Sequence, residues 1–600
     1  MHDEFSAILR TYYDNFSDLI EIGVKQNDSH PAGVQVFIYY WIKTFGLGEA
    51  SLKFPFIVMG TISVFITYLI GKQWFGKTTA LLSALVLGVI QFGIFYSQLA
   101  RPYSPGLMFV LLSTYFWTDI VFKDKTKTIT IVAYVLTATI ASYVHAFSLF
   151  FVLMQGISGL FFLRQKRLRN YIFFNLIIFI LYLPHISIFL AQIGRGDIGG
   201  WLGEPNSLFL LDFINYVFHF SWLFILTVAI VTIILVFVSP NKQIGLIKFR
   251  VLSLSWFVVT FLVAYIYSVS RSPILQYSTL LFVFPFLLMF IFSFIGEVKV
   301  WLKFLVVVLI SIVSVYTLID NRQHYKIMYT QGFDGIALEA SKDLDSIKQN
   351  NISIVMQAPE YRMLEYYFYK NDLDNDCFKL GNENSISEIG DYLKNKNPET
   401  LIYGWADYAR LEYLAYFRDK YKYTIREKQF FNSEYYLFSN NFMAGSLSNE
   451  NRIVIKKIPA EENKVLYESQ KKGYSKSIEL NLDSLNLNKY DVINLRARIS
   501  HSQKDPDILL VFELKDKEGE VISWSASNFN KFYSDADSTG YFVYHSKRVL
   551  SIYPLSEGSI LKTYIWKRDT TSVEVKSLEI FITKLNPIET GLYDKIPGGI

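Results

Sequence analysis

The chain has 600 residues, of which 52% are hydrophobic and only 18% charged, with a mean hydropathy of +0.26. Soluble globular chains carry about 25% charged residues, so a wholly soluble protein is excluded, and the length exceeds one ordinary domain. The net charge of +5 comes with no nucleic-acid motif or basic-aromatic array, and a single cysteine, Cys377, excludes an intrachain disulfide and a cysteine-based metal cluster.

Residues 1–50 begin with adjacent acids, Asp3 and Glu4. Apolar side chains at Phe5, Ile8, Leu9, Tyr12, Tyr13, Phe16, Leu19 and Ile20 follow at helical spacing, which predicts a helix lying on the membrane surface. Asp28-Ser29-His30-Pro31 comes next. The apolar run 34–47 is too short to span and predicts a second interfacial or re-entrant helix. On a soluble surface an Asp-Glu pair means nothing. Held between apolar helices at a membrane face, a carboxylate is a candidate functional group.

Ten stretches are apolar and long enough to cross a bilayer: 52–71, 78–98, 103–122, 128–144, 147–163, 171–193, 214–239, 251–269, 275–295 and 300–319. Lipid leaves no partner for open backbone, so each is expected to be helical. Alternate loops hold Lys72 and Lys77; Lys123, Lys125 and Lys127; Arg164, Lys166, Arg167 and Arg169; Lys242, Lys248 and Arg250; Lys299 and Lys303. The other loops hold Arg101, Arg195 and Arg271, one each. The positive-inside rule puts the basic set in the cytoplasm. Residues 1–50 and everything beyond 320 are then expected outside. With no signal peptide or helix ahead of Asp3, a first spanning helix is expected to be missing from this sequence.

The few outside cations invite a reason. Lys53 opens the first span. Arg101 sits in Ser97-Gln98-Leu99-Ala100-Arg101-Pro102-Tyr103-Ser104, Arg271 in Arg271-Ser272-Pro273, and Arg195 in the long loop 194–213. One reading is a ring of cations that grips a phosphate, which guanidinium suits. The plainer one is snorkelling of each side chain to the headgroups. His145, at the outside end of a span, is either a substrate contact or a cap on backbone. Asp28 and His30 are two potential metal ligands, too few for a metal site.

Beyond the spans, residues 321–445 alternate strand and helix signals and predict a small α/β domain. Residues 446–600 show short alternating strands with Asn, Asp, Gly and Ser in the turns, which predicts a β-sandwich of jelly-roll type. Trp524, Tyr564 and Trp566 are candidates for glycan contact there, or plain core aromatics.

The order Asp-Glu, surface helix, His-Pro, apolar helix, a basic residue opening the first span, Phe75-Gly76, then Ser97-Gln98-Leu99-Ala100-Arg101-Pro102-Tyr103 resembles the GT-C membrane glycosyltransferases. The nearest group is glycosyltransferase family 39, with the protein O-mannosyltransferases and the lipid A aminoarabinose transferase. The resemblance covers roughly residues 1–440. It implies a polytopic α-helical membrane protein of the inner membrane, with its C-terminal domains periplasmic. It implies a polyprenyl-phosphate-linked sugar as donor, with Asp3 as base and Glu4 beside it. Lys53, Arg101 and Tyr103 are the expected contacts of the donor phosphate, with Arg271 as a substitute for the arginine that relatives carry near the last outside turn, and Asp28, His30 and His145 are the expected substrate contacts. Three positions depart from the family pattern: Lys53 replaces a usual arginine, Gln98-Leu99-Ala100 replaces a usual Glu-Ala before Arg101, and Gln276-Tyr277 stands where Arg-Tyr is common.

The chemistry follows from the parts. A departing phosphate needs fixed cations, and a hydroxyl nucleophile needs a base. No second carboxylate motif demands a covalent sugar intermediate, which favours one-step inversion. No glycine-rich nucleotide loop is present, and the scheme calls for no cofactor or metal. The acceptor is a protein, a lipid or a polysaccharide. Two rivals remain: a transporter, which predicts mid-helix charges and repeated halves, and an inactive glycan-binding membrane scaffold. The charged Asp119 and Asp212 lie near span ends, against the first.

Overall fold

The computed structural model describes residues 2–193, 205–325, 332–347, 351–373, 377–381, 384–406, 410–430, 433–449, 454–458, 473–501, 506–534, 540–552 and 555–584. Arg195 lies outside them. The described residues divide into two compact units, one running to His324 and the other beginning at Tyr325.

Among the described residues the first unit is built of helices. Five helices are long and apolar enough to cross a membrane: Glu49–Trp74, Tyr103–Phe122, Gln165–Gln192, Ile244–Ser270 and Val300–Ile319. Two further candidates are bent pairs. Lys77–Val89 and Gln91–Ser97 meet at 62°, and Phe209–Val217 and Trp222–Val238 at 89°. Thr128–Val144 and Ala146–Leu160 are apolar but shorter. Exposed side chains recur on single helix faces, as Leu223, Leu226, Ile230, Ile233, Ile234 and Phe237 do on Trp222–Val238. Such faces exceed anything a soluble monomer leaves to water. The protein is a multi-pass membrane protein.

The expected single spans 78–98 and 214–239 are each broken by a sharp bend, and two further stretches differ from the sequence expectation. The surface helix over 5–24 is broken. His2–Leu9 ends where the Thr11 N–H and hydroxyl both bond the Ile8 carbonyl, and Asn15 caps a new turn through the Asp18 N–H. The apolar run 275–295 is not one helix. It enters as extended chain and a short 3-10 turn, Tyr277–Leu280, and only Phe284–Phe292 is α-helical. Nine residues rise about 14 Å, against a hydrocarbon core of about 30 Å. Leu275 and Leu280–Phe284 are all buried in protein, and the Ser268 hydroxyl accepts from the Ile274 and Leu275 N–H groups. Irregular backbone at membrane depth survives only where protein covers it.

The second unit has two layers of architecture. Strands β1 (Ile352–Gln357), β2 (Phe378–Leu380), β3 (Thr400–Ala406), β4 (Tyr423–Phe430), β5 (Ser433–Ser439) and β6 (Leu447–Ser448) form one sheet in the order β2-β1-β3-β5-β4-β6. The first three pair in parallel and the rest antiparallel. Helices Tyr361–Lys370, Ile386–Lys396 and Leu411–Lys420 supply the connections. Next come β7 (Val454–Ile458), β8 (Gly473–Tyr474), β9 (Ile478–Asn481), β10 (Val492–His501), β11 (Ile508–Lys515), β12 (Val521–Asn528), β13 (Tyr541–Arg548), β14 (Ile560–Lys567) and β15 (Val573–Thr583). They build two antiparallel sheets, β13-β10-β15-β7 and β12-β11-β14-β8 with β9 on β14. Ile493, Leu495, Ala497 and Ile499 of one sheet pack with Ile508, Leu510, Phe512 and Leu514 of the other. That alternation is the signature of a sandwich. The two parts of this unit are tied by Arg496, which pairs with Asp419 at 2.8 Å and with Glu579 at 2.6 Å, and by the Tyr544 hydroxyl on Asp419.

Candidate active site

The site is assembled from the N-terminal segment and the neighbouring ends of the apolar helices. Ala7 and Ile8 of helix His2–Leu9 share an apolar cluster with Val34 and Ile38 of helix Gly33–Phe45, Leu52 and Phe56 at the start of Glu49–Trp74, Ala100 and Val144. This cluster fixes where the acids go. Glu4 points inward and is 0% exposed. One of its carboxylate oxygens accepts the Ala100 N–H at 3.2 Å, and the other lies 3.6 Å from Lys53 Nζ. Ala100 can donate because the chain is irregular here, between helix Gln91–Ser97 and helix Tyr103–Phe122. Asp3 precedes Glu4 on the same helix, but its side chain lies outside the described residues.

Asp28 is the second buried acid. Its Oδ1 accepts from the His30 N–H at 3.0 Å, meets the His30 Nδ1 at 3.1 Å and lies 3.3 Å from an Arg10 guanidinium nitrogen; its Oδ2 accepts from the Gln35 amide. Burial alone would raise its pKa. The His30 hydrogen bond and the charges of His30, Arg10 and Arg101 outweigh burial and hold it down at about 2. The loop is further pinned by the Gln192 amide on the His30 carbonyl at 2.6 Å, and by His185 Nε2, which accepts the Ala32 N–H. Gly33 permits the approach: a Cβ there would stand 2.6 Å from the Tyr143 carbonyl oxygen.

His145 closes the group. It ends helix Thr128–Val144 and caps helix Ala146–Leu160, its Nδ1 accepting the Phe147 N–H at 3.0 Å. Nδ1 is therefore bare and Nε2 carries the proton of the neutral ring. Burial, His30 and Arg101 all push its pKa well below the usual value. Its ring lies 5.5 Å from that of His30 and 6.3 Å from that of Tyr103. Arg101 is buried between these groups, within electrostatic reach of both Asp28 and His145.

Eight of the nine residues picked from the sequence have described side chains. The fold gathers Glu4, Lys53, Arg101, Tyr103, Asp28, His30 and His145. Arg271 is different: it is exposed at the end of helix Ile247–Ser270 and makes no ion pair among the described residues. Sequence reasoning missed Arg10, Gln35, Gln192 and the Ala100 N–H. Arg10 carried a weak signal, as a cation on an apolar helical stripe; a backbone donor carries none. No group of three or more His, Cys, Asp or Glu side chains converges among the described residues. In the sandwich, Trp524, Tyr564 and Trp566 cluster together, and the structure adds Tyr474, stacked on Trp566 at 5.7 Å.

Asp28 gives a test with a definite sign. Its folded pKa lies below the ordinary 3.8, so its contribution is complete above pH 4 and is lost as pH falls toward 2. Replacing Asp28 with Asn should therefore cost about 2 kcal/mol at neutral pH and flatten the fall in stability between pH 4 and 2. Thermal melts of the purified chain across that range check it. A variant with the wild-type melt at pH 7 would refute the pairing.

Residues 29–188 match the family model for dolichyl-phosphate-mannose-protein mannosyltransferase. A protein of Aquifex aeolicus (strain VF5), described only as uncharacterized, is 35% identical over 92 residues. That match spans 14% of this chain and 18% of the relative. Among solved structures, ArnT from Cupriavidus metallidurans in the apo state aligns with a TM-score of 0.42 and 11% identity, over 73% of this chain and 92% of that one. The Archaeoglobus fulgidus oligosaccharyltransferase aligns with a TM-score of 0.32 and 9% identity, over 87% and 89%. The matched segment holds Asp28's neighbours His30 and Gly33, and Lys53, Arg101, Tyr103 and His145, so the resemblance of this chain to the GT-C membrane glycosyltransferases stands over residues 29–188, where it is similar to the protein mannosyltransferases.

Proposed function

We propose that the chain is a glycosyltransferase that moves a sugar from a polyprenyl-phosphate donor to an acceptor hydroxyl. The observation that carries this reading is the gathering of Glu4, Lys53, Arg101 and Asp28 at one place, with the family match running through it. In the proposed step the acceptor oxygen attacks the anomeric carbon and the bond from that carbon to the phosphate oxygen breaks. Asp3 takes the hydroxyl proton, and the electron pair leaves on polyprenyl phosphate. The carbon inverts once. Arg101 and Lys53 meet the charge that grows on the leaving phosphate, where low dielectric makes a fixed cation most effective. Glu4 holds Lys53 and the Ala100 turn in place, and the neutral His145 offers its Nε2–H to a sugar oxygen. His30 and Asp28 orient the acceptor side.

The placement of basic loops supports a site on the extracytoplasmic face of the inner membrane, with the second unit on the same side. The reading is tested by incubating membranes that hold the full chain with a radiolabelled polyprenyl-phosphate sugar. Sugar should leave the lipid and appear in a water-soluble, lipid-bound or protein-bound acceptor fraction. Transport of intact lipid across the bilayer without sugar release would instead support a transporter. Binding with neither release nor transport would support an inactive scaffold.

A further inference from the structure

Arg322 lies three residues beyond helix Val300–Ile319 and is 0% exposed. Among the described residues none of its three guanidinium nitrogens makes a hydrogen bond, and no carboxylate pairs with it. Arginine does not deprotonate in proteins. The guanidinium faces the rings of Tyr216 and Phe220, at 5.9 and 5.6 Å from their centroids. Cation–π attraction recovers only part of the cost of desolvating a charge. Water offers acceptors but no negative charge. A buried cation of this kind calls for an anion.

The surroundings are built to hold it. Phe220 and its neighbour His219 both have positive φ, +52° and +63°, at the sharp break between helices Phe209–Val217 and Trp222–Val238. Two successive strained residues without glycine persist only where the surroundings impose them. His219 is fully buried; its Nε2 accepts the Gln91 N–H at 2.8 Å, and its Nδ1 meets the Thr317 hydroxyl at 2.9 Å. Thr317 spends its own proton on the Val313 carbonyl, so the His219 proton sits on Nδ1. Gln91 and Tyr96 stand beside the Tyr216 hydroxyl. Both helices that flank Arg322 leave apolar faces exposed: Trp222, Leu223 and Leu226 on one, Ile312, Tyr316 and Ile319 on the other. A row of rings separates this place from the Glu4 site, through Tyr216, Phe92, Tyr96, Tyr103 and His145.

We propose that Arg322, with Tyr216 and Gln91 beside it, is a second oxyanion seat that takes the phosphate of a membrane lipid, whose chain lies along the exposed faces of the two flanking helices. Guanidinium matches phosphate oxygens through paired N–H donors. The proposal rests on the glycosyltransferase reading only for the choice of polyprenyl phosphate as probe.

The test is binding without sugar or turnover, so its failure is separable from failure of the enzyme reading. Full-length protein in detergent is titrated with polyprenyl phosphate, and bound lipid is counted by native mass spectrometry. Wild type should bind two per chain, one at each seat, and Arg322→Gln only one. Affinity at the lost seat should weaken at least about tenfold. Without lipid, Arg322→Gln should melt at or above the wild-type temperature, because it removes an uncompensated buried charge. Tyr216→Phe, a milder change, should weaken the same seat while keeping the fold. Equal lipid counts in wild type and both variants would overturn the proposal. So would equal protection by inorganic phosphate, which would assign the seat to a free anion. A single lipid per wild-type chain, retained in Arg322→Gln, would overturn this proposal alone and leave the donor assignment standing.

Discussion

Asp3→Asn should lower sugar transfer by about 10²–10⁴ and leave polyprenyl-phosphate binding near wild type. The reasoning starts from its neighbour. Glu4 is fully buried, bonded to the Ala100 N–H and facing Lys53, so it is committed to holding structure together. Asp28 is held ionised by Arg10 and His30, and its depressed pKa makes it a poor proton acceptor. His145 is neutral, but its bare nitrogen is occupied by the Phe147 N–H. None of these three is free to act, which leaves the proposed base, Asp3, as the group to test. Asparagine keeps the size and removes the basicity. The measurement is single-turnover release of labelled sugar from the donor, with binding followed separately. Transfer at the wild-type rate by the Asn variant would move the base elsewhere.

Arg101→Gln should lower kcat/KM for the lipid donor by about 10²–10³. Arg101 is buried, so its charge acts through a medium of low dielectric rather than through water. No neighbour replaces it: Lys53 already faces Glu4, and Arg10 already faces Asp28. Lysine at 101 should restore part of the loss, since it returns the charge but not the planar fork. Steady-state rates at varied donor concentration separate two meanings. A fall in kcat places the charge on the leaving phosphate in the transition state. A rise in KM alone would confine Arg101 to ground-state binding and refute its part in the chemistry.

Much of the site was open to view in the sequence because its residues come as adjacent pairs or local motifs. Asp28 and His30 are two apart, and their contact needs no fold. The Arg101 motif was legible because a lone cation in an otherwise uncharged outer loop stands out. Arg271 passed the same filter and is exposed, since loop charge alone does not say which way a loop turns. Residues 275–295 show the opposite limit. Composition reports that a stretch is apolar, not whether lipid or protein covers it. The Ser268 hydroxyl that takes up the freed N–H groups comes from another element. Arg322 was invisible for the same reason. After a spanning helix it reads as an ordinary juxtamembrane cation, and only the packing of Tyr216 and Phe220 over it makes it unusual. In the second unit the long strands were legible from alternation, while the two-residue β8 was too short to show a period.

The single imidazole of His219 has a mechanical consequence. It grips the first residue after the bend of one helix pair, lies at the elbow of the other, and holds the last turn of the helix that leads to Arg322. Straightening either elbow would tear the same ring from its neighbours. The two kinks are therefore geared together as one joint, and whatever lodges against Arg322 leans on both.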